Sequence, residues 1–161
     1  MAGILALLAA PAFAASGVNI TQTKLTASYK LTLDVGPVET MYTQAQVNAK
    51  HPKTGEVMLG GSMSGMGGSM GMTMAAGNRH LEIHVASRAT GKVLAQPPSA
   101  ITLTDTSGMG MPSRVAPVAM EGIGEGMADL HYGNNVKLTA GHVYKVVVTV
   151  KGEKASFTFH A

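Results

Sequence analysis

Hydrophobic and polar positions alternate with a period of two over most of this chain, which is the pattern of half-buried β-strands. The alternation is clear where Tyr29, Leu31 and Leu33 occupy every second position. Gly, Pro, Asn and Asp separate the alternating runs, as is typical of turns between short strands. The predicted strands are residues 25–33, 38–47, 79–88, 100–106, 114–120, 135–138, 142–150 and 155–160.

This spacing predicts the fold class. About eight short strands separated by turns favour an all-β antiparallel sandwich. No stretch shows the 3.6-residue period of an amphipathic helix. Residues 15–161 have the length of one domain, and such a length is enough to bury a core without disulfides. We therefore expect a single β-sandwich domain.

The first fourteen residues have the features of a secretory signal peptide. Residues 4–10 are apolar, and Ala12, Phe13 and Ala14 give a small-x-small cleavage pattern before Ala15. No Lys or Arg precedes the apolar run, so we expect either an atypical signal or a start further upstream. The alternative is a buried N-terminal strand or helix. The run is too short to cross a bilayer. We expect an exported protein, periplasmic or extracellular.

Charge and composition exclude some partners and agree with export. The net charge is +3, but the basic residues are scattered singly rather than clustered. Aromatic residues make up only 4% of the chain and Trp is absent, so base stacking is disfavoured and no nucleic-acid partner is expected. Cysteine is also absent, which fits an oxidising compartment.

A methionine-rich segment follows residue 57. Its six methionines lie among glycine and serine, and residues 60–77 are predicted to be a flexible surface loop. Thioether sulfur is a soft ligand that suits Cu(I). The alternative is a disordered linker with incidental methionines. The methionines are Met58, Met63, Met66, Met70, Met72 and Met74.

The strand predicted at residues 79–88 presents metal-binding groups on one face. His80, Glu82 and His84 occupy every second position, so their side chains project to the same side. The residues between them are apolar and take the opposite face. Imidazole serves Cu(II), Zn and Fe, so this face is a candidate metal site. An exposed polar face of a half-buried strand is the simpler interpretation.

Further candidates come later in the chain. Met120 and Met127 precede His131 across a glycine-rich connection, and a turn is predicted at residues 133–135. His131 is either a metal ligand or a turn residue bonded to the backbone. The loop at residues 107–112 carries two more methionines, which either widen the soft-ligand surface or form an ordinary hairpin tip.

Two of these motifs occur in an order that resembles a known family. His80-Leu81-Glu82, a later Met, and His131-Tyr132-Gly133-x-Asn135 leading into a strand are similar to the periplasmic iron-transport proteins that accompany iron permeases. The resemblance covers about residues 78–150. It implies an immunoglobulin-like, copper-binding homodimer with a permease partner. It also implies His80, Glu82, Met120 and His131 as metal ligands, with Met127 the alternative to Met120.

The metal expected is copper, as Cu(I) or Cu(II), with iron the second candidate. The family's acidic stretch before His-Leu-Glu is replaced here by the methionine segment, which disfavours hard Fe(III). The predicted function is metal storage, delivery or coupled iron uptake. No nucleophile elbow, phosphate loop or zinc-hydrolase motif occurs, so an enzyme is not expected. The competing hypothesis is a structural or interaction module of the cell envelope that binds metal incidentally.

Overall fold

The structure is a computed structural model that describes residues 19–59 and 77–161. The predicted signal peptide, residues 1–14, lies outside these residues. So do Met63, Met66, Met70, Met72 and Met74, together with nearly all of the predicted loop at residues 60–77. Among the described residues, no helix has both the length and the apolar character needed to cross a membrane.

The described residues form eleven strands and one α-helix. In chain order they are β1 (Ile20–Leu25), β2 (Tyr29–Pro37), β3 (Met41–Thr43), α1 (Gln44–Lys50), β4 (Glu56–Met58), β5 (Arg79–Ser87), β6 (Ala100–Asp105), β7 (Ser113–Val115), β8 (Val118–Gly122), β9 (His131–Val136), β10 (Val143–Val150) and β11 (Glu153–His160). A short 3₁₀ helix, Gly126–Asp129, precedes β9.

The strands build two sheets, which confirms the predicted all-β sandwich. The larger sheet has the order β1-β2-β5-β9-β8-β4-β3, and the smaller has the order β11-β10-β6-β7. Neighbouring strands are antiparallel except β3 and β4, which run parallel at one edge of the larger sheet. Buried side chains from both sheets form the core, among them Leu31, Leu33, Leu81, Ile83, Val85, Ile101, Val146, Val148 and Phe157.

The strand predicted at residues 38–47 is wrong. Only Met41–Thr43 is a strand, and Gln44–Lys50 is a helix that no 3.6-residue period had indicated. Thr43 is the reason. Its hydroxyl accepts a hydrogen bond from the Gln46 backbone N–H, and the Gln46 side chain accepts one from the Thr43 N–H. This capping box fixes a helix start that overrides the alternating pattern.

Two other predicted strands have wrong bounds. The strand predicted at residues 25–33 begins at Tyr29, because the Thr26 N–H bonds the Tyr29 carbonyl in a turn, and β1 before that turn was not predicted. Residues 114–120 divide at Pro117, and the two parts join different sheets. Proline has no N–H to donate to a sheet, so a change of sheet at this position is expected. By contrast, the strand predicted at 79–88 is confirmed to within one residue as β5.

The two faces of β5 are divided as predicted. Leu81, Ile83 and Val85 are fully buried in the core between the sheets. His80 and Glu82 therefore lie on the outer face of the larger sheet, because alternate residues of a strand project to opposite sides. Strand β5 is central in that sheet, so its outer face has neighbours on both sides.

Candidate metal centre

Strands β5 and β9 place two sets of polar side chains together on this outer face. The register pairs His80 with Asn135 and Glu82 with Gly133, so alternate residues of both strands share a side. The rings of His80 and His131 lie 5.9 Å apart between centroids. The rings of His84 and His131 lie 5.4 Å apart. His80 and His84 thus meet His131, which lies about fifty positions further along the chain.

Strands β8, β4 and β3 extend the same face with methionines and a carboxylate. Met120 pairs with His131 on one side and with Met58 on the other. Glu56, two residues before Met58, pairs with Met41. Met120 and Met41 are buried but lie outside the main apolar core. Paired residues project to the same side of a sheet, so these thioethers accompany the histidines.

Hydrogen bonding fixes which nitrogen of His131 is free. Its Nδ1 lies 2.8 Å from the backbone carbonyl oxygen of Asp129. A carbonyl only accepts, so Nδ1 donates, and in the neutral ring Nε2 carries a lone pair. This Nε2 is fully buried and has no hydrogen-bond partner within the described residues. It faces the carboxylate of Glu56, whose Oε2 lies 3.4 Å away.

The same argument applies to His80. Its Nδ1 lies 2.8 Å from Oδ1 of Asn135. The amide orientation of Asn135 is set by Glu39, whose N–H donates to Oδ1 and whose carbonyl accepts from Nδ2. Nδ1 of His80 therefore donates, and Nε2 carries the lone pair. This Nε2 is also buried and has no partner in the part of the chain that the structure describes.

Glu56 is a member of the site that the sequence did not indicate. Its Oε2 is the third buried side-chain atom without a hydrogen-bond partner among the described residues. Burial raises the pKa of Glu56 to about 7, and the charges of Glu82, Asp129 and Glu39 act in the same direction. In the sequence, Glu56 stands out from other carboxylates only by lying two residues before Met58. Because it also follows a predicted turn, its position suggests an exposed side chain.

Glu82 joins this buried group to a half-exposed one. Its Oε1 lies 3.9 Å from Nε2 of His80, and its Oε2 lies 3.5 Å from Nε2 of His84. Oδ2 of Asp34, on β2, is also 3.5 Å from Nε2 of His84. One atom each from His80, Glu82 and His131 lie within 4.8 Å of one another, as do one each from Asp34, Glu82 and His84. Such spacing is compatible with a shared metal ion.

The half-exposed group is an ion-pair cluster. Burial alone would lower the pKa of His84, but the hydrogen bond and charge of Glu82 and the charge of Asp34 raise it. Burial alone would raise the pKa of Glu82, but the hydrogen bond from His84 and the neighbouring imidazoles lower it. Burial lowers the pKa of His131, which favours the neutral ring that a metal requires.

Gly133 lets the two strands approach. A Cβ at this position would lie 1.8 Å from the backbone carbonyl oxygen of Leu81, which no side chain can tolerate. Residues 133–135 are part of β9, so the turn predicted there is wrong. The alternate residues of the motif His131-Tyr132-Gly133-x-Asn135 each have a part in the site. His131 supplies a buried imidazole, Gly133 allows the strands to approach, and Asn135 supplies the amide that orients His80.

The structure describes six of the predicted site residues and brings five of them together. His80, Glu82, His84, Met120 and His131 share the outer face. Met127 differs, because it lies in the 3₁₀ helix with its side chain 56% exposed. Met120 is fully buried and pairs with His131, so it fits the candidate site better than Met127. From the same 3₁₀ helix as Met127, the bonds of Asp129 reach the site: its carboxylate accepts from the Gly122 N–H and its carbonyl accepts from His131.

A cleft gives solvent a route to the carboxylate side of this group. It measures about 240 Å³, and Asp34, Glu39 and Glu82 contribute to its lining.

Comparison of the chain with family models, with curated proteins and with solved structures gave no match. The resemblance to iron-transport proteins therefore stays a prediction, and the assignment of the site depends on its geometry.

Proposed function

We propose that this protein binds a transition-metal ion on the outer face of its larger sheet, with copper as the first candidate. Nε2 of His80 and Nε2 of His131 are the central ligands, with Met120 and the carboxylates of Glu82 and Glu56 beside them. One observation carries the proposal. Two buried imidazoles, each with its Nδ1 hydrogen already bonded, present unpartnered Nε2 atoms to the same site.

The energetic cost of this arrangement supports a ligand. A buried polar atom without a partner costs about 1–3 kcal/mol, so three in one place are expensive to keep. The fold does not avoid this cost by filling the site with apolar side chains. Histidines whose other nitrogen is bonded to a carbonyl or amide are the usual arrangement around bound metals, because that bond fixes ring orientation and tautomer.

The types of donor favour copper. Imidazole binds Cu(I) and Cu(II), and thioether sulfur selects Cu(I). Met120 lies beside His131 in the sheet, with Met58 and Met41 further along the same face. Zinc sites seldom use thioether, and Ca²⁺ or Mg²⁺ would prefer an all-oxygen set. Iron is the second candidate, served by the oxygens of Asp34 and Glu82 and the imidazole of His84.

The biological role proposed is storage, delivery or coupled iron uptake in an exported protein. Export, a homodimer and a permease partner belong to this proposal through the family resemblance. Soft ligands inside and oxygen ligands towards the cleft allow an ion to move by ligand exchange, because each new ligand binds before the previous one leaves. No catalytic step is assigned.

Replacement of His131 tests the proposal. Cu(II) titration followed by electron paramagnetic resonance reports imidazole nitrogens, whereas the methionine-rich segment prefers Cu(I). We expect His131→Ala to weaken Cu(II) binding by about 100-fold or more, since a direct ligand should matter at least as much as the outer-shell residues that cost 10–100-fold. Circular dichroism should show an intact fold.

His160→Ala is the matched control, because His160 is exposed at the end of β11 in the other sheet. Its Cu(II) affinity should equal that of the unaltered protein. Equal affinity in His131→Ala would contradict the site. If neither protein bound copper, the interaction-module hypothesis would replace this one.

A further inference from the structure

The hairpin between β6 and β7 carries two methionines with no apolar surroundings. The side chains of Met109 and Met111 are 103% and 85% exposed, the highest values among the large hydrophobic residues of the described chain. Both sequence neighbours of Gly110 are thus thioethers held in solvent. The hairpin belongs to the smaller sheet, whereas the candidate metal centre belongs to the larger one.

An oriented histidine lies at the base of this hairpin. Nδ1 of His142 is 2.7 Å from Oδ2 of Asp105, the last residue of β6. A carboxylate only accepts, so Nδ1 donates, and in the neutral ring Nε2 carries the lone pair. The imidazole also stacks on the ring of Tyr144, with centroids 6.5 Å apart and planes 26° apart. A carboxylate bonded to Nδ1 is a common way of presenting Nε2 to a metal.

Short contacts hold the hairpin against the histidine segment. The Val143 N–H donates to the Ser107 hydroxyl at 2.6 Å, and the Thr106 N–H donates to the Val143 carbonyl at 2.8 Å. A Cβ on Gly110 would lie 2.6 Å from the backbone oxygen of Asp105. The residue between the two methionines therefore packs directly on the residue that orients His142.

We propose that Met109, Met111 and Nε2 of His142 form a second, surface site for a soft monovalent ion, Cu(I). Two thioethers and one imidazole match the preference of Cu(I) for soft ligands with few donors. Asp105 is a positioning residue that keeps Nε2 unprotonated in the neutral ring. The site shares no residue with the centre at His80 and His131, and its existence does not depend on that centre.

Silver titration of the full chain tests the site, because Ag(I) is a redox-inert substitute for Cu(I). The methionine methyl groups and histidine rings are followed by NMR, with Met109→Leu and Met111→Leu used to assign the signals. We expect the signals of Met109, Met111 and His142 to shift together with one midpoint. In the Met109→Leu/Met111→Leu double variant, the midpoint for His142 should move at least tenfold higher.

Leucine nearly matches methionine in volume, so this variant removes sulfur without disturbing the hairpin. His160→Ala is the matched control and should leave the midpoint unchanged. His160 pairs with Val143, so its side chain lies on the opposite face of the sheet from Tyr144. Separate midpoints for His142 and the two methionines, or no shifts in any of them, would overturn the proposal.

Asp105→Asn tests the positioning role. Asparagine retains an oxygen for the Ser107 N–H, which lies 2.9 Å from Oδ1 in the present structure. Its NH₂ group would replace Oδ2 and donate to Nδ1, which moves the imidazole proton to Nε2 and blocks the ligand. We expect about tenfold weaker Ag(I) binding, in the range found for outer-shell changes. Unchanged binding would overturn the role of Asp105.

The background variant His131→Ala separates this proposal from the previous one. Ag(I) binding at Met109, Met111 and His142 should be the same with or without it. In the unaltered protein, a shift of the His131 ring without shifts of Met109, Met111 and His142 would overturn the surface site alone. Shifts at the hairpin without any shift of His131 would overturn the buried centre alone.

Discussion

At the scale of single residues, two acceptors decide how the buried histidines are used. The Asp129 carbonyl takes the Nδ1 hydrogen of His131, and the Asn135 amide oxygen takes that of His80. Both rings therefore present Nε2 to the same buried site on the outer face of the larger sheet. A histidine that served only packing would be expected to satisfy both nitrogens, because unpaired buried polar atoms are rare in folded proteins.

Glu56 should stabilise metal binding at the expense of the apo fold. Its folded pKa of about 7 exceeds its ordinary value of 4.5. The folded protein therefore holds this proton more strongly, and its stability falls as pH rises from 4.5 through about 7. We expect Glu56→Gln to raise the unfolding free energy at about pH 8 by roughly 3 kcal/mol, since one pKa unit corresponds to 1.36 kcal/mol.

Urea unfolding of the apo proteins measures this difference, which should be absent below about pH 4. Glu125→Gln, which removes an exposed carboxylate in the turn after β8, is the control and should show little change. Copper affinity should fall in Glu56→Gln. A variant that is less stable than the unaltered protein at high pH would contradict the raised pKa of this buried carboxylate.

The sequence predicted some site residues better than others, for physical reasons. His80, Glu82 and His84 follow from the period of two within a single strand, and that pattern is local. Glu56 was missed because it meets His131 only through the pairing of β4 with β8 and of β8 with β9. No local pattern records a contact across three strands.

At the scale of elements, the close approach of β5 and β9 determines the distances between the histidines. These strands form a continuous ladder from Arg79–Val136 to Ile83–Tyr132. Gly133 opposes Glu82 in this ladder and has the Leu81 carbonyl where its side chain would be. A substitution there must separate the strands or shift the backbone.

Gly133→Ala should therefore destabilise the protein by about 3 kcal/mol, at the upper end of typical overpacking costs, because the obstructing atom belongs to the backbone. Copper binding should weaken as well, since His80 on β5 and His131 on β9 would move apart. Gly36→Ala is the matched control in the same sheet, where an added Cβ meets nothing within 4 Å. Chemical denaturation compares the two, and equal stabilities would contradict the described packing.

A hydrogen bond between the two sheets should be detectable by its dependence on pH. Glu153, at the start of β11, accepts from the Ser28 N–H at 2.9 Å in the turn after β1. Hydrogen bonds from the Ser28 and Thr26 side chains and from the Ser28 N–H lower the pKa of Glu153 to about 2. The resulting stabilisation is present above the ordinary pKa of 4.5 and is lost as pH falls towards 2.

We expect Glu153→Gln to be less stable than the unaltered protein at about pH 7 and equally stable near pH 2. Thermal unfolding across this range measures the difference. Because the carboxylate is exposed to solvent, high salt should reduce it. A difference that persisted at low pH would indicate that the ionised carboxylate is not responsible.

The elements that the sequence predicted poorly are those with competing local signals. Residues 38–47 alternate as a strand should, but Thr43 and Gln46 satisfy a helix start with their own side chains. The alternating pattern has an effect only when a neighbouring strand pairs with it. Over Gln44–Lys50 the chain forms its hydrogen bonds within the helix instead.

At the scale of the whole molecule, stability and metal binding use opposite faces of one sheet. The inner face supplies the apolar core, with each fully buried Leu, Ile, Val or Phe worth about 1.5–3 kcal/mol. The outer face holds the histidines and carboxylates. The fold class followed from strand number and spacing, whereas strand order did not, because pairing between distant segments is absent from any local pattern.

X-ray absorption of the protein loaded with a single Cu(I) ion tests the central claim most directly. If copper occupies the centre described here, the spectrum will show two imidazole ligands and sulfur, and Met120→Leu will lower the sulfur contribution while both imidazoles remain. A spectrum with sulfur ligands and no imidazole would place the ion on methionines alone and contradict the assignment of His80 and His131.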